Sequence, residues 1–264
     1  MSFHNYIRNI LPVRFWIRLR LLYYKLVVFN ARVKFMMVGK NISDFHNIPI
    51  LINNYNRLEY LKILIDGLTK RGYNNIHIID NNSTYPPLLE YYKTCPYDII
   101  HLGKNVGYDA IWRTDVYERF KDSYYVYTDA DLEIDEICPD NFMEYFLDVL
   151  KKHPSCQKVG FSLRIDDLPN HYKNKAKVIE VEKQFWINQN KEGLYCAKID
   201  TTFALYRPFC KGAANGGYEV YRTPTPYLVR HLPWYIDSDN LSDEEKYYVN
   251  SGLIATEWSK LNQK

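Results

Sequence analysis

YYVYTDADLEI, residues 124–134, is the stretch on which the fold turns. Its opening residues are aromatic or β-branched, types that suit extended backbone, and the run is too short and too apolar for anything but a buried strand. It ends in two carboxylates, Asp129 and Asp131, with one residue between them. Side chains at i and i+2 on extended backbone point the same way. Two converging acids repel unless a cation or a proton lies between them. In a parallel α/β sheet, ligands bind beyond the carboxyl ends of the strands, which is where this pair is delivered. A hard divalent cation, Mn²⁺ or Mg²⁺, is the natural resident, because one or two carboxylates commonly hold it while substrate phosphate oxygens complete its shell. Glu133, Asp135, Glu136 and Asp140 follow; as a plain charge run they would simply face water.

Outward from this strand the pattern repeats. IPILIN (48–53), IHIID (76–80) and DIIHL (98–102) read as three earlier strands. Between the first two, Leu58, Leu61, Leu64, Ile65 and Leu68 keep helical spacing, with Asn56 and Glu59 forming a capping-box-like start and Gly72 the stop. Further helices are predicted after Pro86–Pro87, over 108–121 and over 140–152, and further strands over KVGFSL (158–163) and TTFALYR (201–207). Strands alternating with amphipathic stretches predict an α/β fold, a Rossmann-like, mainly parallel sheet flanked by helices. AANGG (213–217) is a glycine-rich turn without the pattern of a phosphate-cradling loop.

The 264 residues suffice for one large domain or two small ones, and a composition 47% hydrophobic and 25% charged excludes a disordered or fibrous chain. Five cysteines, Cys95, Cys138, Cys156, Cys196 and Cys210, have no C-x-x-C spacing, so neither a disulfide framework nor a zinc ribbon is expected, and a reducing cytoplasm is. The net charge of +3 conceals an uneven distribution. Residues 1–43 hold eight basic residues and no acid, whereas the remainder has 26 basic against 31 acidic residues. Arginines interrupt the apolar runs of this first segment, which fits neither a signal peptide nor a spanning helix. Pro12 is placed to open a helix, and Arg14, Arg18, Lys25 and Arg32 then share one face while Trp16, Leu19, Leu22, Tyr23 and Phe29 crowd the rest. That is the makeup of a basic amphipathic helix lying on an anionic membrane surface; the alternative is a helix packed on the protein's own body. Nucleic acid is not expected as a partner, since the body behind the basic segment is acidic.

The succession IPILINNYNR (48–57), IIDNNST (78–84), NVGYDAIW (105–112) and YVYTDADLEI (125–134) resembles the nucleotide-binding half of GT-A-fold glycosyltransferases, and most of all the inverting enzymes of family 2. The likeness extends more loosely through DTTFALYR (200–207) and VRHLPWY (229–235). It implies a nucleotide-binding half over 44–135 and an acceptor-binding half over 136–264. It also implies a nucleotide-sugar donor, UDP-linked by preference, and a glycan or lipid-linked glycan acceptor. By the same likeness, Asn53 and Tyr55 touch the nucleoside, Asp80 hydrogen-bonds the base, and Asn105 and Gly107 close over it. Asp129 lies near ribose and metal, Asp131 ligates the metal, and His231 supplies a third ligand. Asp200 is the implied general base, although Ile199 stands where the family usually has glutamate; Asp237, Asp239 and the Asp166–Asp167 pair are alternatives. A peripheral enzyme on the inner face of a cell membrane, serving bacterial polysaccharide or lipopolysaccharide synthesis, is the setting such a likeness suggests.

Three other classes compete. A haloacid-dehalogenase phosphatase needs Thr or Val two places after the second aspartate, and Glu133 stands there. A sugar nucleotidylyltransferase needs a glycine- and lysine-rich loop after its first strand, where this chain has NNYNRLEY. A non-catalytic glycan- or membrane-binding module would bind neither metal nor nucleotide.

Overall fold

A computed structural model describes residues 13–212 and 219–251; Pro12 and the AANGG turn lie outside them. Strands β1 (Ile50–Asn54), β2 (Ile76–Asp80), β3 (Asp98–His101), β4 (Tyr125–Asp129), β6 (Cys156–Gly160), β8 (Ala204–Tyr206) and β9 (Glu219–Arg222) form one sheet in the order β3-β2-β1-β4-β8-β6-β9. Only β8 runs against the rest. The sheet passes without interruption through both parts of the chain. A small second sheet, in the order β5-β10-β7, joins β5 (Leu132–Ile134), β10 (Leu228–His231) and β7 (Ser162–Leu163).

The strands read as continuous apolar runs because both faces of the large sheet are covered. Ile50, Ile52, Val126 and Leu205 point into one layer, with helices α2 (Glu59–Thr69) and α6 (Phe142–Lys152). Their neighbours Leu51, Tyr125, Tyr127, Ala204 and Tyr206 point into the other, against the short helices α4 (Ala110–Arg113) and α5 (Val116–Phe120). The period of two is thus preserved within each run. Some of the chain's 25 tyrosines serve this packing: Tyr125 stacks on Tyr206 at 5.1 Å, and its hydroxyl donates to the Cys210 carbonyl at 2.7 Å. All five cysteines are free.

Several expected elements differ in form. The helix expected over 108–121 is broken at Thr114, whose backbone is extended. KVGFSL is split at Phe161, so that β6 joins the large sheet and β7, after helix-covered Phe161, the small one. Two helices went unread, α7 (Lys175–Glu182) and α8 (Asp243–Asn250), because the apolar residues of α7 do not gather on one face and those of α8 are few. A seven-residue helix, α3 (Pro86–Tyr92), follows β2.

The start of α2 is also built otherwise than as a capping box. Asn56 has φ +54° and turns its side-chain oxygen to the Thr84 and Tyr85 amides, at 2.7 and 2.9 Å, where α3 begins. The orphan amides of Leu58 and Glu59 donate instead to one carboxylate oxygen of Glu244, at 2.7 and 2.9 Å. A negative group there also complements the helix dipole. Glu244 lies on α8, nearly the whole chain away, so the cap is tertiary and no local spacing could announce it. Beside it, Glu245 pairs with Arg57 at 2.8 Å and accepts from the Tyr60 hydroxyl at 2.6 Å, with both charged side chains 6% exposed. Removing one partner of a buried pair strands the other charge, at a cost of about 3–5 kcal/mol. Glu245→Ala is therefore expected to lower the melting temperature by roughly 10 °C, at about 2–4 °C per kcal/mol for a chain of this size. Thermal unfolding with an unchanged midpoint would contradict the role given to this pair.

The N-terminal helix α1 (Val13–Val38) partly meets the alternative of packing on the body. Val28 and Ala31 are buried against Cys210, Phe35 meets Tyr124 edge-on at 5.7 Å, and the Lys40 amide donates to the Asp122 carbonyl at 2.8 Å. Among the described residues no helix is long and apolar enough to cross a membrane.

Candidate active site

Beyond the carboxyl ends of β1 and β4 opens a cavity of about 550 Å³. The register of the sheets explains which side chains reach it. β1 pairs with β4 so that Asn53 stands opposite Asp129. The Asp129 amide donates to the Thr201 carbonyl at 2.9 Å, and the Thr201 hydroxyl donates to the Asp129 carboxylate. This contact brings Asp200 to the cavity beside the β4 terminus. After Ala130 the chain continues into β5, which pairs antiparallel with β10 so that His231 stands opposite Leu132. The Leu232 amide donates to the Asp131 carbonyl at 2.9 Å. Two strand pairings thus carry Asp131 and His231 together, with His231 Nε2 3.5 Å from Asp131 Oδ2.

Of the sequence-selected residues, Asn53, Tyr55, Asn105, Gly107, Asp129, Asp131, Asp200 and His231 all line this cavity. Asp80 does not. Its carboxylate accepts from the Ser83 amide at 3.2 Å and the Tyr92 hydroxyl at 3.4 Å, and lies 3.2 Å from His101 Nδ1, bracing the turn after β2. Its successor Asn81 reaches the wall, donating to the Gly107 carbonyl and accepting from the Val106 amide, both at 2.8 Å. Asn81 therefore fixes the 105–107 loop, in which Gly107 adopts φ +93°, a conformation that a side chain would strain. Of the alternative bases, Asp167 is committed to Arg230 and Tyr235, and Asp166 to Arg164. Asp237 and Asp239 do not line the cavity.

Sequence reading missed Arg57, Tyr248, Glu182 and Arg222, which also line it. Arg57 sits 3.6 Å over the Tyr248 ring. No local pattern marks Tyr248, Glu182 and Arg222, which α8, α7 and β9 bring to the cavity only in the folded chain, and Arg57 lies in the turn after β1. A further unmarked group lies beneath the floor. Lys158 is fully buried, and its ammonium donates to the Ile199 carbonyl at 2.8 Å and the Tyr206 hydroxyl at 2.9 Å, supporting the loop that carries Asp200. Burial pushes its pKa down to about 7, against the opposing pull of the Asp200 charge.

The two central acids are driven apart electrostatically. Burial, then the Asp131 charge, push the Asp129 carboxyl well above the ordinary carboxylate range, the Thr201 hydroxyl opposing them. Burial acts on Asp131 in the same direction, but the His231 ring and Arg57 outweigh it and hold that carboxyl below the ordinary range. The proton shared by such a pair therefore resides at Asp129. Its raised value means that the folded chain holds this proton more tightly than the unfolded chain does. The associated stability is complete below the ordinary carboxylate range and is lost as pH rises through the raised value. Asp131 contributes oppositely, with stability present above the ordinary range and lost in acid. Asp129→Asn is expected to raise the metal-free protein's stability at neutral pH by about 1 kcal/mol and to flatten its decline above the carboxylate range. Melting curves across pH check this; an unchanged slope would contradict it.

Whether these residues suit a divalent cation can be judged from their unmet valences. Asp131 Oδ1, His231 Nδ1 and Asn53 Oδ1 are buried with no hydrogen-bond partner, and carboxylate with imidazole is a donor set that Mn²⁺ accepts. Among the described residues no three His, Cys, Asp or Glu side chains gather closely enough to cage a metal. The donors fit at most an open site, in which Asp131 and His231 would supply the protein's ligands and water or substrate oxygens the rest.

Glycosyltransferase structures are among those that this chain resembles. It aligns with residues 1–349 of TarS from S. aureus at 11% identity, over 82% of this chain and 68% of that one, with a TM-score of 0.44. GalNAc-T7, solved with UDP, GalNAc and Mn²⁺, aligns at 15% identity over 82% of this chain and 53% of its own, with a TM-score of 0.47. A cytidylyltransferase from Leptospira borgpetersenii aligns at 9% identity over 69% and 77%, with a TM-score of 0.38. No protein-family model and no curated protein matches. What the cavity can do is decided by its own side chains.

Proposed function

We propose that the protein is a metal-dependent glycosyltransferase that moves a sugar from a nucleotide diphosphate donor, UDP-linked by preference, to an acceptor hydroxyl with inversion. The observation that carries this reading is the meeting of Asp131 and His231 at 3.5 Å beside Asp129, in one cavity with Asp200. When bound, Mn²⁺ or Mg²⁺ neutralises the donor's two phosphates and the charge that develops on the departing nucleotide. Asp131 and His231 would hold that ion. Asn53, Tyr55 and the Asn81-fixed loop at Asn105 and Gly107 receive the nucleoside. Asp80 is 4% exposed and does not line the cavity, so its part is to shape that wall.

Asp200, exposed at the cavity, takes the acceptor's hydroxyl proton as general base. The acceptor oxygen bonds to the anomeric carbon, the bond from that carbon to the diphosphate oxygen breaks, and the electron pair leaves with the nucleotide. Attack from the face opposite the leaving group inverts the centre. Incubation with UDP-, GDP- and CMP-sugars, with and without Mn²⁺, tests the reading by release of nucleotide. A protein that binds nucleotide and metal but releases nothing is not this enzyme, and one that binds neither is the non-catalytic glycan- or membrane-binding module.

The acceptor is a glycan or lipid-linked glycan presented at an anionic membrane surface. Support comes from α1: Phe15, Leu19, Leu22, Leu26 and Phe29 are each at least 43% exposed and fall at spacings of four and three, on the side away from Val28 and Ala31. Arg14, Arg18 and Lys25 edge that apolar strip. Each cation near an anionic surface contributes about 1 kcal/mol. Replacing all three by Glu is expected to weaken binding to phosphatidylglycerol vesicles by roughly 10²-fold or more, while turnover on a soluble acceptor persists. Vesicle flotation unchanged by the triple variant would contradict this placement.

A further inference from the structure

A second pair of charges lines the same cavity and has no part in the chemistry just described. Glu182, the last residue of α7, is 6% exposed, and Arg222, the last residue of β9, is 4% exposed. Their side chains meet at 2.8 Å between Arg222 Nη1 and Glu182 Oε2. Arg222 is held in place from two further sides: its Nε donates to the Lys198 carbonyl at 2.6 Å, and its guanidinium lies 4.4 Å over the Phe185 ring. Both residues line the cavity together with Asp200 and Thr202.

Stability alone does not account for this pair. A buried ion pair is commonly no better than apolar side chains of the same volume, and a carboxylate at a helix C-terminus lies at the end where the backbone dipole opposes negative charge. Only one carboxylate oxygen and two guanidinium nitrogens are engaged among the described residues, at Oε2, Nη1 and Nε. Oε1, an acceptor, and Nη2, a donor, remain for whatever fills the cavity. An acceptor and a donor carried by one ion pair match two neighbouring hydroxyls of a sugar, one donating and one accepting. The charges cancel within the pair, so it offers no net attraction to a phosphate or carboxylate.

We infer that Glu182 and Arg222 form the subsite that holds the acceptor sugar next to Asp200, and that they select an uncharged, vicinal-hydroxyl sugar over an anionic one. This inference rests on the glycosyltransferase reading for the word acceptor, but the binding of a sugar does not. Arg222 further links this subsite to the base, because the Lys198 carbonyl it holds lies two residues before Asp200.

Saturation-transfer NMR with methyl glucoside, methyl N-acetylglucosaminide and methyl glucuronide tests it on the full chain, apart from any turnover. Wild-type protein is expected to bind at least one neutral glycoside and to disfavour the uronide. Glu182→Gln and Arg222→Lys, each first shown to melt as wild type does, are expected to weaken neutral-sugar binding by tenfold or more. The double variant Glu182→Gln/Arg222→Gln, which strands neither charge, keeps the test open should a single variant unfold. Glu180→Gln, on the exposed side of α7, serves as the unaffected control. In transfer assays the same subsite variants should raise the KM for acceptor with the KM for donor within twofold. Neutral-sugar binding equal in wild type and variants, uronide binding tighter than neutral, or no glycoside binding at all overturns the inference. Failure of nucleotide release with every nucleotide-sugar, alongside intact neutral-sugar binding, overturns the glycosyltransferase reading instead.

Discussion

Asp131→Ala is expected to lower nucleotide-sugar turnover by about 10³-fold and to remove its response to added Mn²⁺. The size follows from the residue's position. Asp131 is the acid held below the ordinary carboxylate range, so it presents a full negative charge at neutral pH, and it is the one that meets His231 at 3.5 Å. Asp129 carries the proton of the pair and is engaged by Thr201, so its loss removes less of the standing charge. The two variants should therefore be separable, with Asp131→Ala the more severe in metal titrations and Asp129→Asn the more stable protein. His231→Ala should shift the Mn²⁺ requirement upward in the same titration. Equal metal dependence in Asp131→Ala and wild type would remove the cation from this corner of the cavity.

The second large effect concerns proton removal. Asp200→Asn keeps the shape of the side chain and the backbone contacts of its loop, which Lys158 supports from beneath through the Ile199 carbonyl, but it cannot accept a proton. Turnover is expected to fall by about 10²–10⁴-fold, while nucleotide and metal bind as in wild type, since neither group depends on this carboxylate. The split between binding and rate distinguishes a general base from a structural acid. If thermal shifts by UDP and Mn²⁺ fall together with the rate, Asp200 holds the donor; if the rate persists, another group takes the proton.

Much of the cavity wall at the ends of β1, β2 and β4 is legible in the linear chain because it is assembled by consecutive units. IPILIN, IHIID and YVYTD each end at the same edge, and parallel strands in neighbouring positions bring Asn53, Asn81 and Asp129 to one place by register alone. The D-x-D spacing does not by itself show how the two acids part: Asp129 ends β4 and Asp131 precedes β5 in another sheet, so one acid meets Thr201 and the other His231. The wall that carries Glu182 and Arg222 is opaque for a physical reason. Glu182 and Arg222 gain meaning only from each other, forty residues apart, across an irregular segment whose helix α7 scatters its apolar residues around the axis and so shows no helical stripe. The Glu244 cap and the Arg57–Glu245 pair are likewise formed by a C-terminal helix that is acidic and aromatic rather than periodic. Asp80 illustrates the converse, since a well-placed strand-end acid is taken up by Ser83, Tyr92 and His101 and leaves the wall to Asn81.

A crystal grown with Mn²⁺ and UDP and measured for anomalous scattering at the manganese edge tests the centre of this proposal most directly. The expected result is one manganese peak within ligating distance of Asp131 and His231, with the UDP diphosphate on its open side and the uracil toward Asn53 and the Asn105–Gly107 loop. A peak elsewhere, or UDP bound with Asp131 and His231 still facing only each other, would contradict it.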